Sequence, residues 1–348
     1  MSMRKGATRT IFFAVVLALL PALYGWSNGQ PEKQTAPSAS APAAQLTPVT
    51  FRLNWKYTGP HAAYFLGKQL GFYKQEGIDL QIQEGNGSIT AAQLVANGSA
   101  MFGLADAAAL MPLLVKGLPI KAVGMVSPRT SDAVIVRKDS GITTLTDLYG
   151  KIVATTAGDA LTQLWPAVVA RNHLDVSKIK LVYVDAAAKI PVVLDGKAQA
   201  LLGSSADQNF TLEAHGVPAV TLDFADYGVN VLNLAIFASD SFIKQNPDLV
   251  KRFLIATQKS LDALAANTDQ AIKLVDQAAP DLGITVVTNQ TKAYETQLRS
   301  PNCQSSPMLY NCPEDWTQTL SIMKQYLGLQ TDAKASDFYT NAYLPARN

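Results

Sequence analysis

The sequence predicts a two-lobed α/β protein. Three observations lead there: strand and helix patterns alternate along most of the chain, two irregular segments (SPRTSD at 127–132 and DFADYGVN at 223–230) interrupt that alternation, and the length of 348 residues, less a leader and tether, suits two domains of ordinary size.

The leader comes first. Arg4, Lys5 and Arg9 precede the apolar run Ile11 to Leu20, which at ten residues is too short to span a bilayer as a helix. Pro21, Ala22 and Gly25 supply a helix break and small residues, and residues 1–26 are expected to be a cleaved signal peptide; because no A-x-A triplet is present, a retained anchor is the alternative. No cysteine follows the run to take a lipid. Residues 27–47, rich in Pro, Ala, Ser and Gln, lack the apolar surface needed to order themselves and read as a disordered linker. Export places the mature chain in the periplasm.

Removing Arg4, Lys5 and Arg9 from 29 basic residues leaves 26 against 27 acidic ones, a balance that excludes nucleic acid as a natural partner. The cysteines are Cys303 and Cys312 alone. In an oxidising compartment such a pair tends to close, and a structural disulfide is expected; without a nearby His the two thiols make a poor metal site.

Strands are expected at 50–55, 78–83, 101–104 and 120–126, with helices between them. Pro60 suits a first helical turn, Ser88 is expected to cap the helix that Gly98 ends, and Asp106 to cap the next, closed by Gly117. After the first irregular segment a second series begins, with strands at 133–136, 152–155, 180–184, 200–202 and 217–222. After the other irregular segment comes the apolar strand 231–238. The expected division is therefore 48–130 with 231–348 as lobe 1 and 131–230 as an inserted lobe 2, hinged on two crossings. Asn246 and Pro247 open a long amphipathic helix, and Pro313 opens another that Gly328 ends. A monomer is expected.

Enzyme signatures are missing. The sequence has no G-x-S-x-G elbow, H-E-x-x-H, Walker loop or G-x-G-x-x-G, and His61, His173 and His215 lie in three separate elements. The reading is a binding protein without catalytic activity, cofactor or metal. Candidate ligand contacts gather at the carboxyl ends of strands, where open α/β sheets form their crevice. Trp55, Tyr57, His61 and Tyr64 follow the first strand, and flat rings in a cleft stack on flat ligands. Gly85 and Gly87, flanking Asn86, let the backbone approach a ligand, Ser88 opens a helix whose free N–H groups favour an anion or carbonyl, and Thr155, Thr156 and Asp159 repeat that arrangement in lobe 2. Asp106 is either a helix cap or a ligand contact. Asp207, Asp226 and Tyr227 complete the set.

GFYKQEGIDLQIQEGNGS at 71–88 resembles the signature stretch of the NMT1/THI5-like and aliphatic-sulfonate-binding class of ABC-transporter periplasmic proteins. LTDLYGKIVATTAG at 145–158 resembles the stretch that opens their second lobe. The resemblance implies a periplasmic-binding-protein type II fold with C-terminal helices, ligand held between the lobes, and delivery to an inner-membrane permease. LNWKYTGPHAAYF at 53–65 is similar to the entry segment of pyrimidine-precursor binders, which carries over Trp55, Tyr57 and His61 as contacts. Fungal synthases of the same fold also use a His here, but with an iron-linked cysteine-rich segment that this chain lacks. The expected ligand is accordingly aromatic or nitrogen-heterocyclic. The alternatives are an alkanesulfonate, nitrate or taurine-type anion held by groups such as Ser88, Thr156 and Asn86, or a THI5-like synthase.

Overall fold

A computed structural model describes residues 45–345; the expected signal segment and residues 27–44 of the expected linker lie outside them, and Thr47, expected in the linker, instead begins the first strand. The strands are β1 (Thr47–Arg52), β2 (Ile78–Gln83), β3 (Phe102–Asp106), β4 (Ile120–Met125), β5 (Asp132–Arg137), β6 (Ile152–Thr155), β7 (Lys180–Tyr183), β8 (Ala200–Ser204), β9 (Ala219–Asp223) and β10 (Leu234–Ser239). They form two five-stranded sheets, β2-β1-β3-β10-β4 and β7-β6-β8-β5-β9. Each sheet with its helices is a lobe. The chain passes from the first sheet to the second after β4 and returns before β10.

The sheets are mixed rather than wholly parallel. β1 runs parallel to β2 and β3, and β6 parallel to β7 and β8, but β10 is antiparallel to both β3 and β4, and β5 to both β8 and β9. The two antiparallel strands are those that follow the crossings, because each enters its sheet from the other lobe.

Local chemistry explains the helices. α1 (Ala62–Gln69) follows a short turn begun by Gly59 and Pro60, and α2 (Phe72–Gln75) starts beyond Gly71, whose φ of 76° suits glycine. α3 (Ser88–Ala96) is capped by Gly87, not by Ser88, and α4 (Ala107–Val115) by Asp106, whose Oδ1 accepts from Ala109 N–H at 2.6 Å. In the second lobe, Asp159 caps α5 (Ala160–Arg171) through Thr162 N–H, and α6 (Lys189–Leu194) and α7 (Gln208–Ala214) follow. After β10 come α8 (Asp240–Gln245), α9 (Pro247–Leu264), α10 (Thr268–Ala278), α11 (Ile284–Glu295) and α12 (Pro313–Leu327). Asn246 stands at the start of α9, but its side chain turns back to donate to Phe242 O.

The first strand ends earlier than the sequence suggests. Its pairing with β2 stops at Arg52↔Gln83, and residues 54 and 55 instead turn their carbonyls to Gly87 N–H and Gly85 N–H. Behind the first sheet, Phe102 stacks on Phe253 at 4.0 Å and Phe51 meets Tyr64 edge-on at 4.9 Å. α12 lies against both α4 and α5 and so touches both lobes. Cys303 and Cys312 are joined, Cα to Cα 6.0 Å, ahead of α12. No described helix is long and apolar enough to cross a membrane.

Candidate functional site

Between the lobes, at the strand ends, lies a cavity of about 630 Å³ counted out to its mouth. The first lobe contributes Trp55, His61, Gly87, Ser88 and Asp106 from the expected set, and the second contributes Asp159 and Asp207. The lobes meet around it. Ile89 N–H donates across the cleft to Gly158 O at 3.0 Å, and a Cβ on Gly87 would collide with that same carbonyl. Gln290 of α11, fully buried, accepts from Gly59 N–H at 2.9 Å and donates through Nε2 to Asp207 Oδ1 at 2.7 Å.

His61 is a structural part of the wall. Its Nδ1 accepts from Thr58 N–H, which puts the ring proton on Nε2, where it is donated to Asn54 Oδ1; both distances are 3.2 Å. Burial pushes its pKa down to about 3, so the ring stays neutral at physiological pH. Ser88 Oγ accepts from Asp106 N–H at 3.0 Å, tying the start of α3 to the end of β3.

Lys189, missed by the sequence reading, carries the cation of the cavity. Its Nζ lies 2.8 Å from Asp159 Oδ2 and 2.7 Å from Leu202 O, and it sits over the Trp55 indole at 4.8 Å from the ring centroid. The contact links the two lobes through one side chain. A Lys opening the apolar run Ile190 to Val193 was the available signal for burial.

Four carboxyls line the cavity: Asp106, Asp132, Asp159 and Asp207. Burial raises the pKa of Asp106 well above the ordinary carboxylate range, with the charge of Asp132 adding to the effect. Burial also raises Asp132 and Asp207, each to about 7, while the Lys189 charge pulls both partly back. Asp132 was missed although it ends SPRTSD; Asn54, Gln208, Asn233 and Tyr294 carried no signal separating them from core or turn residues.

Other expected contacts lie outside this lining. Tyr57 turns away, its hydroxyl donating to Ile82 O at 2.9 Å and its ring packed edge-on against Phe65. Tyr64 is in the core. Asn86 points to solvent, and Thr155 Oγ1 is engaged with Thr162 Oγ1 at 2.7 Å. Thr156 faces a separate open hollow with Tyr183 and Asp185. Asp226 is exposed in the turn after β9, and Tyr227 packs on the hydrophobic core.

The comparisons with known proteins bear on the fold and the family. The alkanesulfonate-binding protein SsuA from Xanthomonas axonopodis pv. citri, solved with MOPS bound, superposes with a TM-score of 0.65 at 16% identity, covering 88% of this chain and 98% of that one. The fold is that of the periplasmic binding proteins. The 4-amino-5-hydroxymethyl-2-methylpyrimidine phosphate synthase THI5 of Saccharomyces cerevisiae is 26% identical, with 85% of this chain and 87% of that protein covered. The riboflavin-binding protein RibY of Chloroflexus aurantiacus is 23% identical over 97% of this chain and 98% of its own. The synthase relatives overturn the expectation of a chain without enzymatic activity: that reading rested on missing motifs, and relatives named as an enzyme align with this chain over 85% of its length at 23–27% identity. The model of the NMT1/THI5-like family matches residues 58–271, more than half the chain, and the protein belongs to that family.

Proposed function

We propose that this protein captures a small, flat nitrogen heterocycle in the cleft and delivers it, in the periplasm, to an inner-membrane ABC permease. Residues 48–130 with 231–348 act as one lobe and 131–230 as the other, closing on the ligand. The carrying observation is the Trp55 indole on the cavity wall, held by Lys189 from the opposite lobe. Flat rings stack on such a face. Two relatives point the same way, since one is named for a pyrimidine phosphate and another for riboflavin. A sulfonate fits less well: the lining offers four carboxyls against one ammonium, and Asp159 already neutralises that ammonium.

Calorimetry on the mature chain tests this with 4-amino-5-hydroxymethyl-2-methylpyrimidine, riboflavin and MOPS. The expected result is binding of a flat aromatic heterocycle, no binding of MOPS, whose morpholine ring is saturated and puckered, and at least a tenfold loss (about 1.4 kcal/mol) on Trp55→Ala. Binding of MOPS alone, or unchanged ring affinity in Trp55→Ala, overturns it. A second reading, catalysis of the kind for which the synthase relatives are named, is favoured by their 26% identity. Pyrimidine phosphate accumulating in incubations of the purified chain would establish it.

A further inference from the structure

The cavity contains two acceptors that the protein leaves unused. Asp106 and Asp132 are 1% and 4% exposed, both line the cavity, and the Oδ2 of each receives no hydrogen bond among the described residues. They come from opposite lobes, Asp106 from the end of β3 and Asp132 from the start of β5. Asp106 is held firmly: Oδ1 caps α4 through Ala109 N–H, and its backbone N–H is fixed to Ser88 Oγ. Its free oxygen is therefore fixed in direction. Asp132 is anchored by β5 pairing and by its own N–H to Thr130 Oγ1 at 3.1 Å.

Buried carboxyl oxygens without a donor are costly, and native structures supply partners for almost all of them. A metal ion is a poor candidate partner here. Among the described residues, the set of three His, Cys or acidic ligand atoms that lie within 4.8 Å of one another is Cys303, Cys312 and Glu314, not these aspartates.

We infer that Asp106 and Asp132 select the ligand, their free oxygens accepting N–H groups from one edge of its ring as the lobes close. The inference rests on the ring-binding function proposed above and adds to it which edge is read and by which atoms. Trp55 would hold any flat ring, whereas the aspartates demand donors on it. The acceptor role belongs to the ionised carboxyls, which burial disfavours in the ligand-free cleft, so arrival of the N–H donors is coupled to release of the protons the carboxyls hold.

The test uses the mature chain and matched probes that differ in one donor. These are 4-amino-5-hydroxymethyl-2-methylpyrimidine against the same ring lacking its 4-amino group, and riboflavin against 3-methylriboflavin. For whichever parent binds, the donor-free partner should bind at least about tenfold more weakly to the wild type. Asp106→Asn separates the roles further. The asparagine oxygen keeps the α4 cap, so its NH2 replaces the free acceptor with a donor, and the preference for the donor-bearing probe should collapse to within about twofold. Asp132→Asn should reduce it too. Equal affinity of both partners for the wild type, or a preference that survives in Asp106→Asn, overturns the inference while leaving ring binding intact. If neither parent ring binds, the ligand reading fails and the inference fails with it.

Discussion

Replacing Lys189 with Met should destabilise the ligand-free protein severely, and a second substitution should reverse most of the loss. The side chains of Lys189 and Asp159 are 2% and 3% exposed, so neither charge is shielded by water. Removing the ammonium leaves Asp159 with the Thr162 N–H as its remaining donor among the described residues, and breaking a buried pair in this way costs about 3–5 kcal/mol. Met fills much of the volume of the lysine stem, so cavity formation adds little. Asp159→Asn in the same chain removes the stranded charge while keeping an oxygen for the α5 cap, and the double variant should lie within about 1–2 kcal/mol of wild type, the remainder being the lost bond to Leu202 O. Urea unfolding followed by tryptophan fluorescence at pH 8 measures both differences. A loss under about 1 kcal/mol in Lys189→Met at pH 8, or a double variant as unstable as the single one, refutes the reasoning.

Further expectations concern closure, titration and the disulfide. Gly87→Ala should hold the lobes apart, because φ at Gly87 is 127° and the new methyl would meet Gly158 O; small-angle scattering in saturating ring ligand should show a larger radius of gyration than wild type, and identical profiles would sink the idea. Asp207, raised to about 7 by burial, contributes stability that is fully present below about pH 4 and is lost as pH rises through 7. Asp207→Asn should therefore flatten the stability profile between pH 5 and 8, by at most about 1.4 kcal/mol per pH unit, and an unchanged slope counts against it. Replacing Cys303 and Cys312 with Ser should lower unfolding free energy by about 3 kcal/mol, the loop entropy of so short a ring, while ring affinity stays the same; a loss of affinity would show that the bridge acts on the cleft.

The alternation of patterns made the α/β architecture legible because strand and helix periodicities differ, and β2 falls on 78–83 as its alternating IDLQIQ indicates. Direction was less legible. The sequence of β10 is apolar from Leu234 to Ala238, as a buried parallel strand would be, and its antiparallel course depends on where the returning chain enters. In the site, Trp55 and Tyr57 looked equivalent on paper. What separated them was the early end of β1, which turns Trp55 toward the cleft while Ile82 O captures the Tyr57 hydroxyl. Lys189, Asp132 and Gln290 reach the cleft from three distant segments, and no local spacing encodes a meeting of that kind. α11 was not singled out in the sequence, and nothing local indicates that Gln290 on it faces the opposite lobe.

The position of β10 has a consequence for how the chain assembles. It is hydrogen-bonded on both sides, between β3 and β4, yet the whole of the second sheet precedes it in sequence. Until residues 234–239 arrive, β3 and β4 each present an unpaired edge in what becomes the interior of the first sheet, and such edges invite pairing with other chains. The second sheet closes within residues 132–223, so its contacts span shorter stretches of chain and carry the smaller loop-closure cost. Folding should therefore begin in the nested segment and finish in the one that encloses it. The slow step is then expected to be the insertion of one late strand into a gap left open by two early ones.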